Sequence, residues 1–187
     1  FRSGWVFAGQ GTEYAGMTKH LAETSPTYAA RLDEICGHIL PGLRDLMQGD
    51  DDAWTHEPLY AQAAVVAHEL AMSFALKDMG HQPTWVAGHS LGEISAAVIA
   101  GVMDLKTAGA LVRARGKACA AMNSHGGMLA VAMGDPSKYL MEFPDVELAV
   151  RNRKDRCVLS GAKESLRALS ARLKEAGIHS VELDSTR

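Results

Sequence analysis

The chain has 187 residues, 47% of them hydrophobic and 22% charged, which are the proportions of an ordinary globular protein. A formal net charge of −3 gives no attraction to nucleic acid or to an anionic membrane, and no apolar run approaches the length of a membrane span. The three cysteines are widely spaced and odd in number, which indicates reduced thiols, and no signal peptide opens the sequence. We therefore expect a cytoplasmic enzyme with no nucleic-acid or membrane partner.

The first predicted element is a strand, residues 5–8, followed by the loop Gly9-Gln10-Gly11. Glycines on both sides of Gln10 would let the main chain approach a ligand closely. In α/β hydrolases a loop after an early strand supplies one N–H group of the oxyanion hole, and the residue after the nucleophile supplies the other. Gln10 and Leu91 are therefore candidate donors, with an ordinary glycine turn as the alternative.

Helical spacing of apolar residues predicts a helical region over residues 28–47. A Pro-Gly pair at positions 41–42 interrupts this region, so two shorter helices are expected. The acidic loop that follows, residues 50–52, lacks the alternating ligands of a calcium loop, and we expect no metal site.

A largely buried helix is predicted over residues 58–76. It carries Gln62, which either forms hydrogen bonds in the core or faces a site. It also carries His68, which we interpret as a structural or surface residue and not as a catalytic one.

The centre of the sequence combines an apolar run at residues 85–87, which predicts a short buried strand, with a helical pattern over residues 91–100. Between them, Gly88-His89-Ser90-Leu91-Gly92 fits the G-x-S-x-G pattern of a nucleophile elbow. The serine of such a turn is strained, and the glycines on either side avoid collisions. The helix that follows points its free N–H groups at the site. We predict that Ser90 is a nucleophile; the alternative is a glycine-rich loop with a chance serine.

The next helix is predicted over residues 105–122, and it carries Arg113 and Arg115. Such cations usually cover a solvated helix face. A guanidinium turned inward would instead offer a planar fork to a carboxylate. The sequence alone leaves both alternatives open.

After a predicted hinge at residues 123–127, the pattern changes to strand, short helix, two strands, amphipathic helix and strand. The order βαββαβ is that of a ferredoxin-like unit. We therefore predict an α/β fold in two parts. Residues 1–125 form an α/β-hydrolase-like parallel-sheet body, and residues 126–187 form a small ferredoxin-like subdomain.

Several motifs in this order give the chain a resemblance to the malonyl-CoA:acyl carrier protein transacylases and to the acyltransferase domains of polyketide synthases. The resemblance covers essentially the whole chain. It rests on the segments Phe7-Ala8-Gly9-Gln10-Gly11, Gly88-His89-Ser90-Leu91-Gly92-Glu93, Arg113-Ala114-Arg115-Gly116-Lys117, and Asn152 with Cys157-Val158-Leu159-Ser160-Gly161.

The resemblance implies a two-step acyl transfer in fatty acid or polyketide biosynthesis, with malonyl-CoA as substrate and no permanently bound cofactor. Ser90 would take the malonyl group as an ester and pass it to the phosphopantetheine thiol of an acyl carrier protein. The N–H groups of Gln10 and Leu91 would bind the oxyanion. Other acyl-CoA thioesters and neighbouring polyketide synthase domains are further expected partners.

The same resemblance implies four substrate-binding residues. Arg115 would pair with the free carboxylate of malonate, which explains a preference for a diacid over acetate. His89 would brace the elbow and Gln62 would border the pocket. Asn152 would lie on the small subdomain, facing the cleft. Leu91 is of the malonyl type, but departures from the family pattern leave aminated, hydroxylated and other malonyl derivatives open.

The family's general base is a histidine in a short segment just after the strand predicted at residues 179–183. The sequence stops at Arg187, before such a segment, so we expect an N-terminal portion of the domain that is either inactive by itself or completed by a segment outside it. Two other functions stay open. One is a hydrolase of the same fold that removes acyl groups from stalled carrier proteins, and the other is a non-catalytic module that docks a carrier protein.

Overall fold

The computed structural model describes residues 2–122 and 126–183 of the chain, and each range forms a compact unit. Residues 123–125, which include His125 and most of the predicted hinge, lie outside the described residues. The predicted boundary after residue 125 therefore stays a prediction.

The first unit surrounds a pair of strands with helices. The strands are β1 (Gly4–Phe7) and β2 (Trp85–Gly88). The helices are α1 (Lys19–Thr24), α2 (Pro26–Ile39), α3 (Leu43–Gln48), α4 (Pro58–Asp78), α5 (Gly92–Ile99) and α6 (Leu105–Ala121). The division between α2 and α3 confirms the predicted break, where Gly42 adopts a left-handed φ of 78°. The sequence prediction missed α1, because six residues without a buried side chain show no helical period.

Helix α4 is the centre of the core of this unit. Pro58 opens it, because its fixed φ suits the first helical turn, where no N–H group is needed. Helices α2 and α6 pack against α4. By length and mean hydropathy α4 could cross a membrane, so the expectation that no apolar run approaches that length is wrong for this segment. In this unit 61% of its most apolar window is buried, as a core helix requires.

The two strands pair in parallel, with Gly4 opposite Trp85 and Phe7 opposite Gly88. Parallel pairing places the carboxyl ends of both strands at one edge, where ligands bind in α/β folds. The sequence predicted a buried second strand, but Trp85 is 56% exposed. Among the described residues β2 pairs only with β1, and the Trp85 ring occupies the space over Gly4, which has no side chain.

The second unit is a four-stranded antiparallel sheet with helices in the connections. Its elements are β3 (Gly126–Val131), α7 (Ser137–Leu140), β4 (Val146–Arg153), β5 (Arg156–Ala162), α8 (Lys163–Glu175) and β6 (Ser180–Leu183). The strand order β4-β5-β3-β6, with antiparallel neighbours throughout, confirms the predicted ferredoxin-like arrangement. Leu166, Leu169 and Leu173 repeat on one face of α8 and are buried in a core separate from that of the first unit.

Candidate active site

Ser90 lies in the turn between β2 and α5. Its φ of 52° makes it the one residue other than glycine with a positive φ among the described residues. That conformation costs a residue with a side chain about 1–2 kcal/mol. Hydrogen bonds hold the turn: the His89 N–H group donates to the Phe7 carbonyl at 3.0 Å, and the Gly92 N–H group donates to the His89 carbonyl at 3.0 Å. Ser90 is exposed. The main chain thus holds a strained serine at the surface, as a nucleophile elbow requires.

The two glycines of the motif are sterically required in this structure. A Cβ atom on Gly88 would lie 2.3 Å from main-chain atoms of Gly92 and Glu93. A Cβ atom on Gly92 would lie 2.4 Å from the carbonyl oxygen of Phe7. Both distances are far below van der Waals contact, so β1, β2 and α5 can meet this closely only where the side chains are missing.

The loop after β1 lies directly against the elbow. A Cβ atom on Gly9 would lie 3.2 Å from the His89 carbonyl oxygen and 3.8 Å from Ser90 Cβ. Within the described residues, neither the Gln10 N–H group nor the Leu91 N–H group donates a hydrogen bond to the protein. Two main-chain donors are therefore available close to the exposed serine, which is the composition of an oxyanion hole.

The side chain of Gln10 is held by Gln62. The Gln62 Nε2 atom donates to Gln10 Oε1 at 3.0 Å, and Gln62 is only 1% exposed. The other polar atom of this amide, Gln62 Oε1, is buried without a hydrogen-bond partner among the described residues. The structure thus brings three of the predicted site residues, Gln10, Gln62 and Ser90, to one place. A buried acceptor without a partner at that place could take a hydrogen bond from a ligand.

The two arginines of α6 have different surroundings. Arg113 Nη1 donates to the carbonyl groups of His38 and Ile39 at 2.9 and 2.5 Å, at the C-terminal end of α2. Arg115 Nη1 is buried and has no hydrogen-bond partner among the described residues. Gly116, beside it, packs on Leu59 in the first turn of α4, three residues before Gln62. Arg113 is therefore tied to the end of α2 and does not simply cover a solvated face, and Arg115 has a buried Nη1 atom, as the inward-turned alternative requires.

One charged residue beside the elbow was missed by the sequence analysis. Glu69, in the middle of α4, accepts a hydrogen bond from the Ala8 N–H group at 2.6 Å and another from Ser95 Oγ at 2.7 Å. Burial raises the pKa of Glu69, and the two hydrogen bonds oppose that rise. In the sequence, Glu69 is recognisable only as an isolated acidic residue in an apolar helix. That pattern does not indicate what the carboxylate contacts. The neighbouring His68 is structural, as predicted, because its Nδ1 atom and the Tyr28 hydroxyl are hydrogen-bonded at 2.8 Å.

The remaining predicted site residues are placed less fully. His89 is exposed, and its main-chain groups make the elbow hydrogen bonds described above. Asn152 lies in β4 of the second unit, so its predicted position facing a cleft stays a prediction. A surface hollow of about 450 Å³ in the second unit is lined by Ser170, Lys174 and neighbouring residues, and none of the predicted site residues is among them. The candidate site is thus defined, within the described residues, by main-chain geometry at the ends of β1 and β2.

Comparison with known proteins places this geometry in a family. The profile of the acyl transferase domain family matches residues 4–185. The chain is 38% identical, over 176 residues, to the phenolphthiocerol synthesis polyketide synthase type I Pks15/1 of Mycobacterium marinum. This match covers 92% of the chain and 8% of the relative, so the chain spans less than a tenth of that polyketide synthase.

Solved structures show the same fold. The acyltransferase domain from the second module of the salinomycin polyketide synthase is 34% identical with a TM-score of 0.92, over 97% of this chain and 44% of that one. The malonyl-transacylase PlMCAT, in a complex with the type II polyketide synthase acyl-carrier protein AntF, is 29% identical with a TM-score of 0.86. That match covers 98% of this chain and 62% of the solved one. The chain therefore spans about half the length of these domains.

Proposed function

Because the chain belongs to the acyl transferase domain family, we propose that it moves a malonyl-type acyl group from coenzyme A to a carrier protein through an ester on Ser90. The observation that carries this proposal is the exposed, left-handed serine with a glycine-bordered loop packed against its turn. A docking module would have no use for a strained serine, so the geometry favours an enzyme over the non-catalytic alternative.

The proposed reaction has two steps of the same kind. In the first, Ser90 Oγ attacks the thioester carbonyl, the N–H groups of Gln10 and Leu91 stabilise the oxyanion, and the thiol of coenzyme A leaves with a proton. In the second, the phosphopantetheine thiol of the carrier protein attacks the Ser90 ester and Ser90 regains its proton. A general base must accept the serine proton in the first step, and we assign this role to none of the described residues.

Selection of the acyl group follows from the buried guanidinium. We assign Arg115 to the free carboxylate of the malonyl group, since a bidentate charge-assisted pair is lost when acetyl replaces malonyl. Support comes from the buried Nη1 atom without a partner among the described residues and from the packing of the neighbouring Gly116 near Gln62. The acyl-carrier protein in the complex of the similar malonyl-transacylase supports a carrier protein as acceptor. Neighbouring synthase domains are proposed partners because the Mycobacterium marinum relative is far longer than this chain.

The experiment that tests the function is acylation of the full-length protein by malonyl-CoA, followed by intact mass spectrometry. We expect the wild-type protein to gain the mass of one malonyl group, attached to Ser90, and the Ser90→Ala variant to gain none. The matched control is Ser73→Ala, since Ser73 is a buried serine of α4 whose hydroxyl bonds the Glu69 carbonyl, and this variant should be acylated normally. A malonyl mass that persists in Ser90→Ala would refute the proposal.

Adding carrier protein to the acylated enzyme separates transfer from hydrolysis. We expect the malonyl mass to move to the phosphopantetheine arm of the carrier protein. Release of free malonate at the same rate with or without carrier protein would instead establish the hydrolase alternative.

A further inference from the structure

We propose that Glu69 is a positioning residue that holds the loop after β1 and helix α5 together on either side of Ser90; this inference rests on the proposed function. One carboxylate oxygen, Oε1, accepts the N–H group of Ala8 at 2.6 Å, and the other, Oε2, accepts the Ser95 hydroxyl at 2.7 Å. Both oxygens belong to one planar carboxylate group, so this group determines how far apart the Ala8 N–H group and the Ser95 hydroxyl lie.

The two partners stand next to the reacting groups. Ala8 is the first residue after β1 and lies two residues before Gln10, whose N–H group is a proposed oxyanion donor. Ser95 is on the buried face of α5, just over one turn after Ser90. The carboxylate therefore links the segment that leads to one proposed donor to the helix that directly follows Ser90 and the other proposed donor.

Glu69 is also well suited to stay in place. It lies in the middle of α4, the core helix of the unit, so its main chain is fixed by the helix itself. A half-buried carboxylate that accepts two hydrogen bonds does not rotate freely. Rotation would break both hydrogen bonds, and water could replace them only in part. A bridge of this kind matters for catalysis because oxyanion donors act only within a narrow range of distance from the developing charge.

The test compares single-turnover acylation of Ser90 in full-length variants, with separate measurement of rate constant and amplitude. Glu69→Ala removes both acceptors and should lower the acylation rate constant by at least tenfold, because a misplacement of about 1 Å can cost about a hundredfold. Affinity for malonyl-CoA and the fraction of protein that is finally acylated should not change. Ser73→Ala, which contacts only the main chain of Glu69, is the matched control and should react like the wild type.

Glu69→Gln is the conservative variant that should keep the acylation rate. Its amide oxygen can accept the Ala8 N–H group, and its NH₂ group can donate to Ser95 Oγ, since a hydroxyl can act as acceptor. The rate constant of Glu69→Gln should therefore lie within about threefold of the wild type. Ser95→Ala removes half of the bridge and should have a rate constant between those of wild type and Glu69→Ala. If Glu69→Ala does not fold, the slower rate of Ser95→Ala decides the question.

Amide hydrogen exchange gives a readout that does not depend on activity. The Ala8 amide should exchange faster in Glu69→Ala than in Glu69→Gln or the wild type, because only the alanine variant lacks an acceptor for it. The inference is overturned if the alanine variant and Ser73→Ala have equal acylation rate constants, or if only the acylated fraction falls. If the wild type is never acylated by a thioester, the proposed function fails instead, while the exchange rate still reports whether the bridge exists.

Discussion

Substitution of Gly88 by alanine tests whether the elbow depends on the close approach seen between β2 and α5. The new methyl group would lie 2.3 Å from the carbonyl carbon and oxygen of Gly92 and from the nitrogen of Glu93. Overpacking a tight site costs about 1–3 kcal/mol when side chains can rotate away. Because all three atoms here belong to the main chain, we expect the upper end, about 3 kcal/mol of unfolding free energy. For a cooperative unit of about 150–250 residues that corresponds to a melting temperature lower by about 6–12 °C.

Two other glycines provide graded controls for this substitution. Gly37, in the interior of α2, has no atom within 4 Å of an added Cβ, so Gly37→Ala should stabilise the protein by about 0.5–1 kcal/mol. Gly9 would place a Cβ atom 3.2 Å from the His89 carbonyl oxygen, so Gly9→Ala should cost less than about 1 kcal/mol. It should still slow acylation, because the loop beside Ser90 must shift.

The assays are thermal unfolding and single-turnover acylation of Ser90 on the same preparations. From the most to the least stable, the order should be Gly37→Ala, wild type, Gly9→Ala and Gly88→Ala. A Gly88→Ala protein that melts within about 1 °C of the wild type and is acylated at the same rate would refute the steric argument.

Two further predictions concern charged residues. Arg115→Ala should lose malonyl loading much more than acetyl loading and keep its stability. Arg113→Ala should keep the malonyl preference but lose about 1.5–3 kcal/mol of unfolding free energy, because it removes a charged donor from two carbonyl groups. Loading assays with both thioesters and chemical denaturation measure these effects. Burial raises the pKa of Glu69 above its ordinary value of 4.5. Between the unfolded and the folded pKa the folded protein therefore binds more protons than the unfolded chain, and its stability falls as the pH rises from 4.5 towards the folded pKa. Denaturation at several pH values should show this fall in the wild type and a smaller one in Glu69→Gln.

The elbow could be predicted from sequence because its causes are local. A strand, a serine between two glycines, and a helix determine the turn within a dozen residues, and the structure has β2, a left-handed Ser90 and α5 in those places. The βαββαβ order of the second unit was predictable for the same reason, since each element is long enough to show its own period. Short elements were not: α1, which is six residues long, was missed.

Contacts between distant segments could not be predicted in this way. Arg113 and Arg115 are both basic residues on the same helix, and only the carbonyl groups at the end of α2 distinguish them. The exposure of Trp85 has a similar origin, since an apolar strand is buried only where another element covers it. Glu69 is the extreme case, because its partners lie 61 residues before it and 26 residues after it.

The end of β1 determines the position of both halves of the candidate site. The Phe7 carbonyl accepts the His89 N–H group, and the missing side chain of Gly92 leaves room for the same carbonyl. Two residues further on, Gly9 contacts the turn itself. The strain of Ser90, about 1–2 kcal/mol, is thus balanced by contacts with the strand that leads into the oxyanion loop. A change that relaxes the turn should also move Gln10, so we expect substitutions at the proposed nucleophile and at the proposed oxyanion donor to have non-additive effects.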